Sequence, residues 1–120
     1  MSGLLAAGLG SAGRSESTAR PDPSELNSQA CLEELDLSQL DQALQRCNAV
    51  VQAHRSDPAP LTDRSLLYIL LGRIDQACRD VDQAITLMNS KGSTVDPMVR
   101  HELTVRQASC RQRVSNAGKG

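Results

Sequence analysis

Four cysteines, Cys31, Cys47, Cys78 and Cys110, are the residues of this sequence best suited to form covalent or metal bonds. An even number permits two disulfides, whereas a zinc site needs ligands at close spacing. No two of them form a Cys-x-x-Cys pair, so we expect no metal and no other cofactor. The sequence leaves two alternatives open: two disulfide bridges, or four reduced cysteines buried as small apolar residues.

The sequence shows no other pattern typical of catalysis. It contains no glycine-rich phosphate loop, no nucleophile elbow and no pair of metal-binding histidines. Glu33, Glu34 and Asp36 form a short acidic run, but successive residues of a helix diverge by about 100° and do not converge on one substrate. We therefore interpret the run as a solvated face and expect no enzymatic activity.

The spacing of apolar residues predicts an all-α fold. Apolar side chains recur at steps of three and four, and Pro, Gly and Ser interrupt them at 56–60, Gly72 and 89–93. These signals predict five helices, at about 24–36, 39–55, 60–71, 74–88 and 97–114. The sequence has one Tyr and neither Phe nor Trp, so the core must consist of aliphatic side chains.

Part of the sequence is a displaced copy of another part. Residues 74–77 (Ile-Asp-Gln-Ala) repeat residues 40–43 (Leu-Asp-Gln-Ala) with a shift of 34 positions, and the same shift places Leu32 on Leu66. A fixed period built from two helical segments is typical of stacked helix hairpins. Such arrays present extended surfaces to partners, so the repeat predicts a binding module.

The predicted turns suggest how the cysteines would pair. In an antiparallel hairpin, residues at the same height are equidistant from the turn. Residue 39 lies midway between Cys31 and Cys47, and residue 94 lies midway between Cys78 and Cys110, each inside a predicted turn. Close-packed hairpins can supply the Cα separation of ~4.4–6.8 Å that a disulfide needs. Bridging depends on export to an oxidising compartment, so cytoplasmic and exported locations both stay open.

A set of spaced residues carries a resemblance to a known family. The set comprises Leu61, Ser65, Tyr68, Leu71, Gly72, Ala77, Val81 and Ala84. It resembles one tetratricopeptide repeat, and a more degenerate copy with Cys31, Ala43 and Cys47 precedes it. The resemblance implies a short right-handed solenoid of antiparallel hairpins. Its repeats would span about 24–57 and 58–91, with a capping helix at about 95–114.

The resemblance also implies a concave surface, lined by the first helix of each hairpin, that faces a peptide. The candidates for this surface, with two arginines of the last helix, are Ser28, Leu32, Leu35, Asp36, Thr62, Asp63, Leu66, Ile69, Leu70, Arg100 and Arg106. Some family members grip a terminal carboxylate with Lys and Asn, but Lys91 and Lys119 lie off these helices. We therefore expect a protein or peptide partner held in a partly apolar groove, or self-association. Arg100 and Arg106 on the last helix leave contact with an acidic partner open as well.

Charge is unevenly distributed along a chain of net charge −1. Residues 21–45 contain six acids and no base, whereas residues 100–120 contain five bases and one acid. This asymmetry is compatible with solvated helix faces and also with stacking of copies into a homo-oligomer. Bulk charge gives no reason to expect nucleic acid, and no apolar run approaches the ~20 residues of a membrane span.

The two ends of the chain and the cysteine neighbours complete the expectations. Residues 1–23 are rich in Gly, Ser, Ala and Pro, which predicts a flexible leader, and the apolar run at 4–9 resembles the end of a secretory signal. Residues 115–120 are expected to be a disordered tail. Three cysteines stand beside an arginine, which leaves a thiol-based redox adaptor as a further functional alternative.

Overall fold

The computed structural model describes residues 27–119, apart from the side chains of Ser93 and of residues 114–119. This part of the chain forms four α-helices and contains no β-strand, so the all-α class is confirmed. The helices are α1 (Leu40–Ala53), α2 (Pro58–Leu70), α3 (Ile74–Lys91) and α4 (Pro97–Lys119). They correspond to the second to fifth predicted helices, and α4 continues past its expected end into the segment predicted to be a tail. The leader predicted at 1–23 lies outside the described residues.

The helix predicted at about 24–36 is not present in the part of it that the structure describes. Two 3₁₀ turns, Ala30–Leu32 and Leu37–Gln39, occupy this region instead. Between them Glu34 has a φ of 49°, in the left-handed region that a right-handed helix does not contain. This residue redirects the chain, so that Cys31 and the leucines beside it pack around Cys47 of α1.

Two Asp-Pro pairs begin alternate helices. Asp57 precedes Pro58 at the start of α2, and its Oδ1 accepts a hydrogen bond from the backbone N–H of Ala59 at 2.9 Å. Asp96 precedes α4 in the same way and accepts from the N–H of Met98 at 2.8 Å. These caps satisfy backbone donors that have no partner inside the helix, and proline is tolerated there because its missing N–H would have none.

Helix α2 lies at the centre of the packing and contacts α1, α3 and α4. The largest apolar cluster joins α2, α3, α4 and the connection before α4: Leu61, Val81, Ala84, Met88, Val95 and Leu103. Gly72, with a φ of 76°, ends α2 and allows α3 to fold back against it. None of the described helices is both long and apolar enough to cross a lipid bilayer.

Candidate functional site

A cleft of about 910 Å³ lies where α2 and α4 begin. We call it the acidic cleft, because Asp57, Asp63, Asp96 and Glu102 all line it. Asp57 and Asp96 are the two helix caps, while Asp63 and Glu102 lie further along α2 and α4. Helices α2 and α4 begin at the same end of the packing, so the carboxylates that cap them lie in the same cleft.

The acidic cleft has excess negative charge and a partly apolar lining. Arg55 and Lys91 also line it, so carboxylates outnumber Lys and Arg by four to two. Val99 and Met98 contribute apolar surface, and the Met98 side chain is 65% exposed. The cleft therefore combines hydrogen-bond acceptors with an accessible apolar side chain, a combination that suits an extended peptide or a helix.

Asp63 is the most perturbed acid in the cleft. Its pKa is raised from an ordinary value of 3.8 to about 6, mainly by burial and also by the neighbouring charges of Glu102 and Asp57, against the opposing effect of Arg106. Removing water from a carboxylate and placing other carboxylates beside it both disfavour the ionised form. Any cation that entered the cleft would stabilise the charged form of Asp63.

Arg106 holds α4 against α2 beside the acidic cleft. Its Nη1 donates to the backbone carbonyl of Thr62 at 2.7 Å and contacts Ser65 Oγ at 3.3 Å. Its Nη2 pairs with Glu102 at 3.1 Å. The guanidinium therefore joins α4 to the first half of α2.

Both disulfides are present, with the pairing that the turn symmetry favoured. Cys31 is bonded to Cys47 with Cα atoms 4.3 Å apart, and Cys78 is bonded to Cys110 with Cα atoms 5.8 Å apart. The first bridge ties the segment before α1 to α1, and the second ties α3 to α4. The alternative of four reduced cysteines does not apply, because no free cysteine is left.

A second, smaller cavity lies beside the Cys78–Cys110 bridge. It has a volume of about 160 Å³ and lies between the end of α2, the first half of α3 and the second half of α4. Its apolar lining is Ile69, Ile74, Ala77 and Val81. We call this cavity the bridge groove. Arg106 and Arg113 supply its charged side chains.

Four of the eleven candidate surface residues from the sequence line one of these two cavities. Ser28 and Asp63 line the acidic cleft, while Ile69 and Arg106 line the bridge groove. Leu66 is partly buried on α2, and Leu70 is 44% exposed. These four therefore lie in two separate cavities and not on one continuous surface.

Other candidates have structural roles instead. Thr62 was expected on the surface, but it is fully buried and its Oγ1 donates to the carbonyl of Pro58 at 2.8 Å, so that expectation is wrong. Leu32 and Leu35 are partly buried around the Cys31–Cys47 bridge. Asp36 is exposed, and its Oδ1 accepts hydrogen bonds from the N–H and the hydroxyl of Ser38, which lower its pKa.

Arg100 also makes an internal contact, since its Nη2 donates to the carbonyl of Gly92 at 2.5 Å. This bond ties α4 to the turn that precedes it. Within residues 27–119 the His, Cys, Asp and Glu side chains form no group of three or more that could hold a metal ion.

No match to this chain is found among models of protein families, among curated proteins or among solved structures.

Sequence reasoning missed three of the four carboxylates of the acidic cleft. The sequence contains a signal for Asp57 and Asp96, because each precedes a proline at the start of a helix. The two helices are separated by one helix in the chain, so their starts are expected at the same end of an antiparallel packing. Glu102 had none, since its position depends on how α4 packs on α2. The bridge groove could not be predicted from the sequence either, because its lining residues come from three helices.

Proposed function

We propose that this chain is a non-enzymatic protein-interaction module, a short solenoid of the tetratricopeptide-repeat type that holds a basic peptide or helix of a partner. The observation that carries the proposal is the acidic cleft, with α2 as one wall and α4 as the other. In a solenoid of that type these are the first helices of successive hairpins, which line the concave side. A volume of about 910 Å³ lies within the range of about 300–1,000 Å³ typical of ligand clefts.

The packing of small residues supports the hairpin part of this proposal. Ser65, Ala77 and Ala84 are all almost fully buried on α2 and α3. Small side chains at such positions let two helix axes approach closely, whereas large ones would separate them. These are positions that carried the sequence resemblance, and α2 and α3 pack against each other.

The charge of the acidic cleft supports a basic partner. A guanidinium or ammonium group forms charge-assisted hydrogen bonds with carboxylates, and these are stronger than neutral ones. In the unbound protein the charges of Asp63 and Glu102 repel each other. A cation bound between the two carboxylates would reduce this repulsion. Apolar surface at Met98 would contribute to affinity through burial.

The test is to screen short random peptides against the full chain and to measure the affinity of the peptides that bind by calorimetry. We expect peptides rich in Arg and Lys to be selected. Asp63→Asn and Glu102→Gln should each weaken binding about 5- to 10-fold, as expected for the loss of a charged hydrogen-bond partner. Affinity should also fall as the pH drops below about 6, because protonation removes the charge of Asp63.

The matched control is Asp82→Asn, which removes an exposed acid of α3 that does not line the cleft. If Asp82→Asn weakens binding as much as Asp63→Asn does, then overall charge explains the affinity and the cleft does not. Selection of acidic peptides would contradict the proposal directly.

A further inference from the structure

The bridge groove is a small apolar site with a positively charged rim. Its floor consists of Ile69, Ile74, Ala77 and Val81, and the Cys78–Cys110 bridge holds its α3 and α4 walls together. The exposed Arg113 contributes its positive charge, since Arg106 is already paired with Glu102. A protein cavity of about 150 Å³ lined by aliphatic and aromatic residues can hold a benzene molecule. The groove, at about 160 Å³, therefore has room for one aliphatic side chain.

A side chain of the right kind stands on another part of the same molecule. Leu37, in the 3₁₀ turn before α1, is 68% exposed, more than any other large apolar side chain in the described residues. The turn is held in place by Asp36, whose carboxylate accepts from the N–H and the hydroxyl of Ser38 at 2.9 and 2.7 Å. Leu37 is thus presented on an ordered turn.

The surroundings of Leu37 are acidic where the rim of the groove is basic. The residues flanking it include four exposed acids, Glu33, Glu34, Asp36 and Asp41. Arg46 lies close by and donates to the backbone carbonyl of Glu33. The patch keeps a net negative charge, opposite in sign to that of Arg113 at the groove. An apolar side chain inside a ring of complementary charge is the usual anatomy of a specific contact.

We propose that Leu37 of one copy of this chain inserts into the bridge groove of a second copy. The acids around Leu37 then face Arg113 of the groove, which orients the encounter. The contact uses no residue that lines the acidic cleft, so it goes beyond the proposed peptide binding. The two surfaces differ, so a two-fold dimer makes the contact twice between its two copies, whereas an open chain makes it once between each pair of neighbouring copies.

The first test is sedimentation velocity on the full chain at concentrations up to ~1 mM, the weak end of specific association. We expect concentration-dependent self-association that weakens between about 0.1 M and about 1 M salt, where the screening length falls from about 10 Å to about 3 Å. Leu37→Ser should lower the association constant at least about tenfold, as expected when a buried leucine is lost from an interface.

The matched control is Met98→Ser, which removes a side chain of almost equal exposure, 65% against 68%, that lies in the acidic cleft. It should leave self-association unchanged while weakening peptide binding, and Leu37→Ser should do the reverse. Failure of the self-association proposal is therefore distinguishable from failure of the proposed function.

A mixing experiment tests the pairing itself. Leu37→Ser keeps an intact groove, and Ile69→Asp keeps an intact Leu37 while placing a charge in the groove. Each variant alone should associate at least about tenfold more weakly than the wild type, with a helical circular dichroism spectrum that shows it is folded. An equal mixture should associate more strongly than either variant alone. A wild-type chain that stays monomeric, equal effects of Leu37→Ser and Met98→Ser, or a mixture that associates no more strongly than the separate variants would each overturn the proposal and assign the groove to another occupant.

Discussion

Arg64 and Asp80 form a two-pronged ion pair that joins α2 to α3, with donor–acceptor distances of 2.7 Å from Nε and 2.8 Å from Nη2. The two side chains are 18% and 6% exposed. Arg64 also donates to Asn48 Oδ1 of α1 at 3.0 Å, and its guanidinium lies 5.6 Å from the centre of the Tyr68 ring. One side chain therefore ties three helices together, and its bond with Asp80 raises the pKa of Arg64.

Asp80→Ala should lower the free energy of unfolding by about 2–4 kcal/mol, because it leaves the partly buried charge of Arg64 without its partner. The double variant Arg64→Met/Asp80→Leu should be less destabilised than Asp80→Ala, since it removes both charges. Urea denaturation followed by circular dichroism measures the difference. Asp82→Ala, two residues along the same helix and exposed, is the control, and an equal loss in both single variants would contradict the prediction.

The two disulfides should differ in how fast they are reduced. Cys31 and Cys47 have no exposed surface, whereas Cys78 and Cys110 are partly exposed and line the bridge groove. Thiol–disulfide exchange requires access to a sulfur, so limited reduction should open the Cys78–Cys110 bridge first. Alkylation followed by peptide mass spectrometry should label these two cysteines before the other pair, and simultaneous labelling of all four would contradict this.

Removal of either bridge should also lower stability, by different amounts. The bridges close loops of 16 and 32 residues, for which loss of unfolded-state constraint predicts about 3 and about 4 kcal/mol respectively. The measurement is denaturant unfolding of Cys31→Ala/Cys47→Ala and of Cys78→Ala/Cys110→Ala. A bridge whose removal leaves the midpoint unchanged is not formed in solution.

Stability should decrease as the pH rises through the titration of Asp63. Its pKa is raised in the folded state to about 6 from an ordinary value of 3.8, so the folded protein binds this proton more tightly than the unfolded chain does. The stabilisation from tighter proton binding at Asp63 is fully present below about pH 4 and is lost as the pH rises through about 6. Because Asp63 still contacts solvent, we expect a change of about 1–2 kcal/mol, smaller than the full shift implies.

Asp63→Asn should remove this dependence and be more stable than the wild type above pH 6, because the neutral amide is not repelled by Glu102. Thermal unfolding in a series of buffers between about pH 4 and pH 8 provides the comparison. Asp82→Asn should keep the wild-type slope. A wild-type profile that rises between pH 4 and 6 after subtraction of the Asp63→Asn profile would show that the sign is wrong.

Arg106→Lys should loosen α4 while preserving the charge. The lysine cannot reproduce the fork that reaches the Thr62 carbonyl and Glu102 together. We expect the free energy of unfolding to fall by about 1–2 kcal/mol. Relative to the wild type, amide hydrogen exchange should become faster in α4 more than in α3. Arg113→Lys changes an exposed arginine of the same helix and should leave exchange unaltered. Similar exchange in the two variants would contradict the anchoring role of Arg106.

The helices and their ends could largely be predicted from the sequence, because their causes act over a few residues. Apolar steps of three and four, the capping acids before Pro58 and Pro97, and the positive φ available to Gly72 are local properties. The Cys78–Cys110 pairing could also be anticipated, since a helix hairpin places residues equidistant from its turn at the same height. Local spacing gave the wrong element at 24–36, where the chain bends at Glu34 and packs around Cys47. The Cys31–Cys47 pairing agrees with the prediction, although the helix on which that prediction depended is not formed in the described residues.

The two candidate sites, like the ion pair of Arg64 with Asp80, depend on residues that are far apart in the chain. Asp80 lies 16 positions from Arg64, and Arg106 reaches a carbonyl 44 positions away. Burial of Thr62, the raised pKa of Asp63 and the walls of the bridge groove all follow from such contacts. The sequence by itself determined an all-α chain of amphipathic helices with turns at defined places. Only the tertiary structure decided which side chains lose water and which charges meet, because desolvation and Coulomb interactions depend on distance in space and not along the chain.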